Sequence, residues 1–321
     1  MKTEHLIGWL LVGLMGVGSA GGQEGLYDKV AAASFEVLVE GRLSGSGWFA
    51  GEEGWGFTAA HVVAKQGVAV KVRQGGKIWE AEVQALDVLH DAALLRIKGE
   101  RPVGMGFAKE FPKVGEEIYL FGAPVFRHEV WIPGRVARKE VTYEFLSSEE
   151  TGIRCFHVAA SSPKGTSGGP WVNGDGEVVG LQSGMMVQAD VMQGIAFVTP
   201  CAGLEALLKS KQSGQTCSLR AAGEELEEQP VEWLAKWPEG QGGVVLKRVA
   251  EDGPLGKEGV KDGDVLVSVN GTPLATRNDF HRIVSGLAPE LGAVLVLYGG
   301  DGETRTLEVV PVVLERGRIG E

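Results

Sequence analysis

Apolar runs in this chain are short, and glycine keeps breaking them: 49 of the 321 residues are Gly. Glycine is the residue of tight turns and of close backbone approach. Runs of three to nine residues between such turns point to many short strands, not long helices. Strands are expected at 34–39, 47–50, 56–58, 68–72, 78–86 and 92–97, and a second set at 131–138, 154–159, 171–173, 177–183 and 194–198. Val68-Ala69-Val70-Lys71-Val72 shows the alternation of a half-buried strand. The fold class expected for the first two hundred residues is therefore all-β, as barrel or sandwich. Short helices are expected only at 204–208 and 279–287. Apolar residues make up 44% and charged residues 23% of the chain, ordinary for a globular protein of about two domains.

The chemistry-bearing stretch is Lys164-Gly165-Thr166-Ser167-Gly168-Gly169-Pro170. A nucleophilic serine needs an exposed hydroxyl and free backbone N–H groups facing the oxygen that becomes negative in acyl transfer. Taken alone, the stretch also reads as a glycine-rich turn between strands. Two other contexts decide between these readings. Gly56-Phe57-Thr58-Ala59-Ala60-His61-Val62-Val63 places a histidine just past an apolar strand. Leu89-His90-Asp91-Ala92-Ala93-Leu94-Leu95 opens an apolar strand on an acid. Asp87 and His90 are rivals, but only Asp91 leads directly into the Ala-apolar run. His5, His128, His157 and His281 lack a comparable setting.

The order His61, Asp91, Ser167, together with Gly45-Ser46-Gly47-Trp48-Phe49, resembles the trypsin-like serine proteases and, within them, the HtrA (Deg) family. The resemblance spans about residues 35–311. It implies a chymotrypsin-like double β-barrel with the site in the crevice between barrels. It casts Ser167 as nucleophile, His61 as general base and acid, and Asp91 as the group orienting the imidazole. Gly165, Thr166 and Ser167 frame the oxyanion hole, with the amides of Gly165 and Ser167 as donors. The residue six before the nucleophile, Ser161, is expected at the base of the substrate pocket, with no acid there to pair Lys or Arg. Gln182, Ser183, Gly184 and Ala196 are expected in its wall, which suits small or medium apolar side chains. Thr166 stands where the family commonly has Asn. The resemblance also implies unfolded or damaged proteins as substrates and a homotrimer.

Further along, Gly253-Pro254-Leu255-Gly256 through Gly263-Asp264-Val265-Leu266 resembles the PDZ domains of the same family. Such a domain takes a peptide C-terminus as an added strand beside a helix. Residues 279–287 are the expected groove wall and 218–223 the candidate carboxylate loop. The loop lacks the family's apolar-Gly-apolar signature, so a regulatory or packing role stands beside peptide binding. The expected layout is residues 1–20 as a cleaved signal peptide or retained anchor, 26–210 as the protease domain (barrels about 28–108 and 112–202), 211–228 as linker and 229–315 as PDZ domain. A leader of this kind places the rest in the periplasm or outside the cell. The net charge of −11, with no basic stripe, argues against nucleic-acid binding. No Cys/His cluster has metal-ligand spacing, and neither metal nor cofactor is expected. Cys201 and Cys217 either pair or stay as buried thiols; Cys155 completes the three cysteines. A non-catalytic adaptor on the same fold is the competing function.

Overall fold

The structure is a computed structural model that describes residues 20–51, 54–138, 140–145, 152–299 and 303–314. The expected leader, residues 1–20, lies outside the described residues apart from Ala20. That residue starts helix α1, Ala20–Ala32. The helix replaces the expected opening of the first barrel at residue 28. Leu26 and Val30, four apart and so on one helical face, are buried against the first barrel. Tyr27 reaches Phe121 and Trp131 edge-on, at ring-centroid distances of 5.7 and 5.9 Å.

The first barrel comprises β1 (Ser34–Val39), β2 (Arg42–Ala50), β3 (Trp55–Ala59), β4 (Val70–Gln74), β5 (Lys77–Asp87) and β6 (Ala92–Ile97), with the single turn of helix α2 (Ala60–Val63) after β3. It closes in the order β1-β2-β3-β6-β5-β4. Two of its hairpins turn on two residues with positive φ. Gly75 and Gly76 (φ 51° and 84°) join Gln74 to its partner Lys77, a geometry that matches the twist of the flanking strands. Trp48, Phe57, Leu94 and Leu95 are fully buried in the core cluster, the first three on one face of the sheet and Leu95 on the other.

The second barrel comprises β7 (Glu117–Gly122), β8 (Val130–Val136), β9 (Thr142–Phe145), β10 (Gly152–Ala159), β11 (Pro170–Val172), β12 (Val178–Gln188) and β13 (Val191–Pro200). The path β13-β12-β11-β7-β8-β10 closes into six strands because β10 also pairs with β13. Strand β9, not foreseen from sequence, hangs on the first half of β10. β12 and β13 run well past the barrel as a hairpin. Helix α3 (Cys201–Ser210) then returns to the first barrel, where Leu204 and Leu207 join its core.

The C-terminal domain holds β14 (Cys217–Ser218), β15 (Ala222–Glu224), α4 (Val231–Leu234), β16 (Val244–Lys247), α5 (Pro254–Lys257), β17 (Val265–Val269), β18 (Thr272–Pro273), α6 (Arg277–Ser285), β19 (Ala293–Tyr298), β20 (Thr304–Val309) and β21 (Val312–Val313). Its main sheet runs β15-β16-β17-β19-β20. β14 and β15 come from the stretch expected to be linker, so this domain's strands begin before residue 229. The two- and three-residue strands are too short to show a period in sequence. α6 is opened by a capping box: the Asp279 amide donates to Thr276 Oγ1 at 3.1 Å and the Thr276 amide to Asp279 Oδ2 at 3.1 Å. Its inner face is Phe280, His281 and Val284. All three cysteines are free thiols, so the Cys201–Cys217 pairing is not formed.

Trp48 is the largest fully buried side chain of the first core, stacked on Phe57 at 5.0 Å and met edge-on by Phe107 at 5.5 Å. Trp48→Ala is expected to lower unfolding stability by about 3–5 kcal/mol, read by chemical denaturation.

Candidate active site

Asp91 sits at the tight corner leading into β6 with φ 48°, a left-handed conformation that Asp tolerates better than most residues. The corner turns its backbone and side chain toward the start of α2. The Ala60 amide donates to Asp91 O at 2.9 Å, and the His61 amide donates to Asp91 Oδ1 at 3.1 Å. These satisfy two amides that a helix start leaves without intrahelical partners. The second carboxylate oxygen accepts from His61 Nδ1 at 2.8 Å. A carboxylate only accepts, so Nδ1 carries the proton and Nε2, across the ring, is left as an acceptor. Asp91 is fully buried and His61 is 8% exposed.

The rivals Asp87 and His90 bind each other instead: His90 Nδ1 lies 2.8 Å from Asp87 Oδ2, and the His90 amide donates to Asp87 Oδ1 at 3.0 Å. His157 is held by Glu144 at 2.9 Å, and His128 pairs with Glu36. His5 lies outside the described residues.

Ser167 reaches this region on a loop that only glycine permits at two points. Gly168 has φ 84°, and a Cβ there would stand 2.3 Å from Ser46 O, 2.3 Å from Thr58 Oγ1 and 2.7 Å from the Ala59 nitrogen. The residue after Ser167 is thus pressed onto the end of β3, just before the turn that carries His61. From the other side, the Ser46 amide donates to Ser167 O at 2.8 Å. Gly165 has φ 103°, and its Cβ would meet Ala123 O at 2.5 Å.

The orientation of the loop's amides follows from what its carbonyls bind. Lys164 O accepts from the Val125 amide at 2.7 Å. Across a trans peptide plane the next N–H points the opposite way, so the Gly165 amide faces away from Val125. Gly165 O accepts from Ser46 Oγ at 2.9 Å, and that hydroxyl accepts from the Ala123 amide at 3.0 Å. Thr166 spends both its amide (3.2 Å) and its hydroxyl (2.8 Å) on Pro163 O. Thr166 therefore shapes the loop, and its N–H is engaged there.

The expected pocket residues separate. Ser161 is exposed, Gly184 is half-buried, and Ser183 and Ala196 are buried. Gln182 does not present its side chain to a pocket. Its Oε1 accepts from Trp171 Nε1 at 2.8 Å, and its Nε2 donates to Ser162 Oγ at 3.0 Å and Gly184 O at 2.6 Å. Its backbone exchanges bonds with the nucleophile loop: Gly168 N donates to Gln182 O at 2.7 Å, and Gln182 N to Gly169 O at 2.9 Å. Gln182 is a buried brace under Ser167. Ser183 Oγ lies 3.1 Å from Thr199 Oγ1, which donates to His90 O. Gln182, expected in the pocket wall, acts instead as this brace, and Ser46 and Thr58 had no role assigned from sequence although both lie in the quoted Gly45–Phe49 and Gly56–Val63 stretches.

Between the candidate carboxylate-loop stretch and α6 lies a cavity of about 20 Å³, and Leu89, Tyr143 and Gly152 of the barrels help line it. Tyr143 stacks on His281 at 5.6 Å, and Thr142 Oγ1 donates to Asn278 Oδ1 at 2.8 Å. Burial first, and the Arg277 charge second, push the His281 pKa down to about 3.

A double β-barrel followed by a small sheet-and-helix domain is the architecture of a trypsin-like peptidase domain joined to a PDZ domain. Comparison with known proteins agrees. Residues 45–181 match the trypsin-like peptidase domain and residues 202–310 the PDZ domain. Human serine protease HTRA4 is 28% identical over 310 residues, covering 89% of this chain and 63% of that protein. A probable periplasmic serine endoprotease, DegP-like, from Pseudomonas putida is 28% identical over 277 residues, covering 84% of this chain and 54% of that one. The chain therefore spans between about half and two thirds of the length of these relatives. The solved structure of the HtrA-type protease AlgW with a tripeptide superposes with a TM-score of 0.65 at 19% identity, over 93% of this chain and 99% of that one. Residues 45–181 thus carry a trypsin-like peptidase domain and residues 202–310 a PDZ domain, and the relatives matched are named HtrA or DegP-like serine proteases.

Two outcomes follow. Gly168→Ala has no room for its methyl and is expected to abolish labelling of Ser167 by a fluorophosphonate while far-UV circular dichroism stays β-type. For His281, unfolding frees an imidazole with the ordinary value of 6.5, so the unfolded state binds more protons as pH falls from about 6.5 toward about 3. Stability should drop across that window. His281→Phe should flatten the drop in melting temperature relative to the parent.

Proposed function

We propose that this chain is an exported serine endopeptidase that hydrolyses peptide bonds in unfolded or damaged proteins. The single observation carrying this reading is the bidentate tie of Asp91 to both the backbone and the ring of His61, next to the loop that bears Ser167. In this reading His61 Nε2 takes the Ser167 proton as Oγ attacks the substrate carbonyl. The proton then goes to the leaving amine, and the acyl-enzyme is hydrolysed by water through the same base. Asp91 holds the imidazole in the working tautomer and stabilises its protonated form. The amides of Gly165 and Ser167 receive the oxyanion. The bond from the Val125 amide to the Lys164 carbonyl supports that role for Gly165, because it turns the Gly165 N–H away from Val125 and leaves it free of that partner. Exposed Ser161, with buried Ala196 and no acid among these residues, supports cleavage after small or medium apolar residues.

Export is read from the leader-like residues 1–20, and N-terminal sequencing of the mature protein tests it. A Pseudomonas relative carries the word periplasmic in its name. The PDZ domain is assigned peptide C-termini as ligands, admitted when the Tyr143–His281 contact opens.

Unfolded casein is the test substrate. The parent chain is expected to degrade it, and Ser167→Ala or His61→Ala to lower kcat by about 10⁴-fold or more. Asp91→Asn should cost about 10⁴-fold. Equal, negligible degradation by parent and variants would leave the fold as a non-catalytic adaptor.

A further inference from the structure

Beyond Gln182, strand β12 continues for six residues to Gln188 and turns back as β13. Up to Gln182 it is flanked on both sides: β13 on one edge, and β11 with the Gly168–Gly169 backbone on the other. From Ser183 onward, among the described residues, only β13 pairs with it. An open edge thus starts where the nucleophile loop is bonded and runs outward. Residues 186–194 are exposed without interruption. Four of them are large and apolar: Met186 (36% exposed), Val187 (49%), Val191 (60%) and Met192 (52%). Val187 and Met192 are cross-strand partners, so they share one face. The stretch 184–194 carries one charge, Asp190.

The hairpin does not depend on glycine at its tip. Gln188 pairs with Val191, and Ala189 and Asp190 make the turn with φ 48° and 63°. Both lie in the left-handed region, the geometry that a two-residue hairpin turn between paired strands uses.

We propose that this hairpin is a second docking surface for substrate: it takes an extended, apolar stretch of an unfolded polypeptide lying upstream of the scissile bond. The proposal rests on the endopeptidase reading above. Direction follows from the strand. β12 runs away from Ser167, so a chain added antiparallel to its open edge runs toward Ser167. Its residues nearer the N-terminus then lie against the tip. From Gln182 to Val187 is about five residues, about 17 Å at strand rise. The tip thus meets substrate from about the fifth residue before the cleaved bond. Side chains there bury apolar area on Val187 and Met192, which share one face, and methionine adapts to varied partners without demanding one sequence. Unfolded segments offer such apolar stretches and folded surfaces do not, so the hairpin selects for the unfolded state before cleavage begins.

The test uses the full mature chain and three fluorogenic peptides with the same cleavage site. One has four residues before the cleaved bond. Two have nine, with apolar or with Ser/Asp residues at the fifth to eighth positions. The parent chain is expected to show kcat/KM about tenfold higher for the long apolar peptide, mainly through KM. The double variant Val187→Asp, Met192→Asp should lose that gain, and Val187→Ser, Met192→Ser should lose most of it. Both should cleave the short peptide within about twofold of the parent. Long and short peptides cleaved alike by the parent, or a gain that survives both variants, overturns the proposal. So does an unchanged gain accompanied by a fall in oligomer mass, which would assign the tip to a second copy of the chain. Fluorophosphonate labelling separates the two levels. An adduct on Ser167 without a length effect removes only the hairpin's role, whereas no adduct and no cleavage removes the endopeptidase reading and this proposal with it.

Discussion

The buried carboxylate of Asp91 is the interaction on which the rest depends. One oxygen holds the backbone of α2, the other holds the His61 ring, and its own carbonyl takes a further amide of the same turn. An acid with no exposed surface is tolerable only when its lone pairs are occupied. The same bonds that stabilise the acid also fix the position and tautomer of the imidazole. Placing a left-handed residue at that corner, immediately before the fully apolar run Ala92-Ala93-Leu94-Leu95, anchors the geometry to the barrel core instead of to a mobile loop.

The second barrel supplies the other half by a different device. Its serine loop is defined by what cannot be there: side chains at 165 and 168 would overlap backbone oxygens of Ala123 and Ser46. Close approach of backbones across the crevice is what brings Ser46 to both Gly165 and Ser167. Gln182 then ties the loop's far side to Trp171 in the core. The barrels are therefore joined through the site itself, and α1 and α3 pack across the outside of the same assembly. The C-terminal domain is fastened to it by the Tyr143–His281 stack and the Thr142–Asn278 hydrogen bond. In this arrangement barrel residues help line the cavity beside α6.

Much of this was legible in the residues. Strands 34–39 and 92–97 fall where short apolar runs between turn residues put them. The separate contexts of His61 and Asp91 meet in space as their residue types suggested. Helix α1 was missed because its Gly-rich start and single Leu26–Val30 stripe give little helical period, and packing on the barrel decides its state. β9, β14 and β15 were missed because two to four residues cannot display a period, and long-range pairing alone makes them strands. The turning of Gln182 inward was hidden because its partner Trp171 is eleven residues away on another strand. Thr166 belonged to the loop as expected, but which amides a turn consumes depends on its dihedral angles, and sequence does not encode these one by one.

The crystal structure of the chain after reaction with a fluorophosphonate tests the central claim most directly. The account predicts phosphorus bonded to Ser167 Oγ, the phosphoryl oxygen within hydrogen-bonding distance of the Gly165 and Ser167 amides, and His61 Nε2 facing the adduct with Nδ1 still on Asp91. An adduct on another residue would contradict it. So would a phosphoryl oxygen turned to solvent with the imidazole out of reach of Ser167.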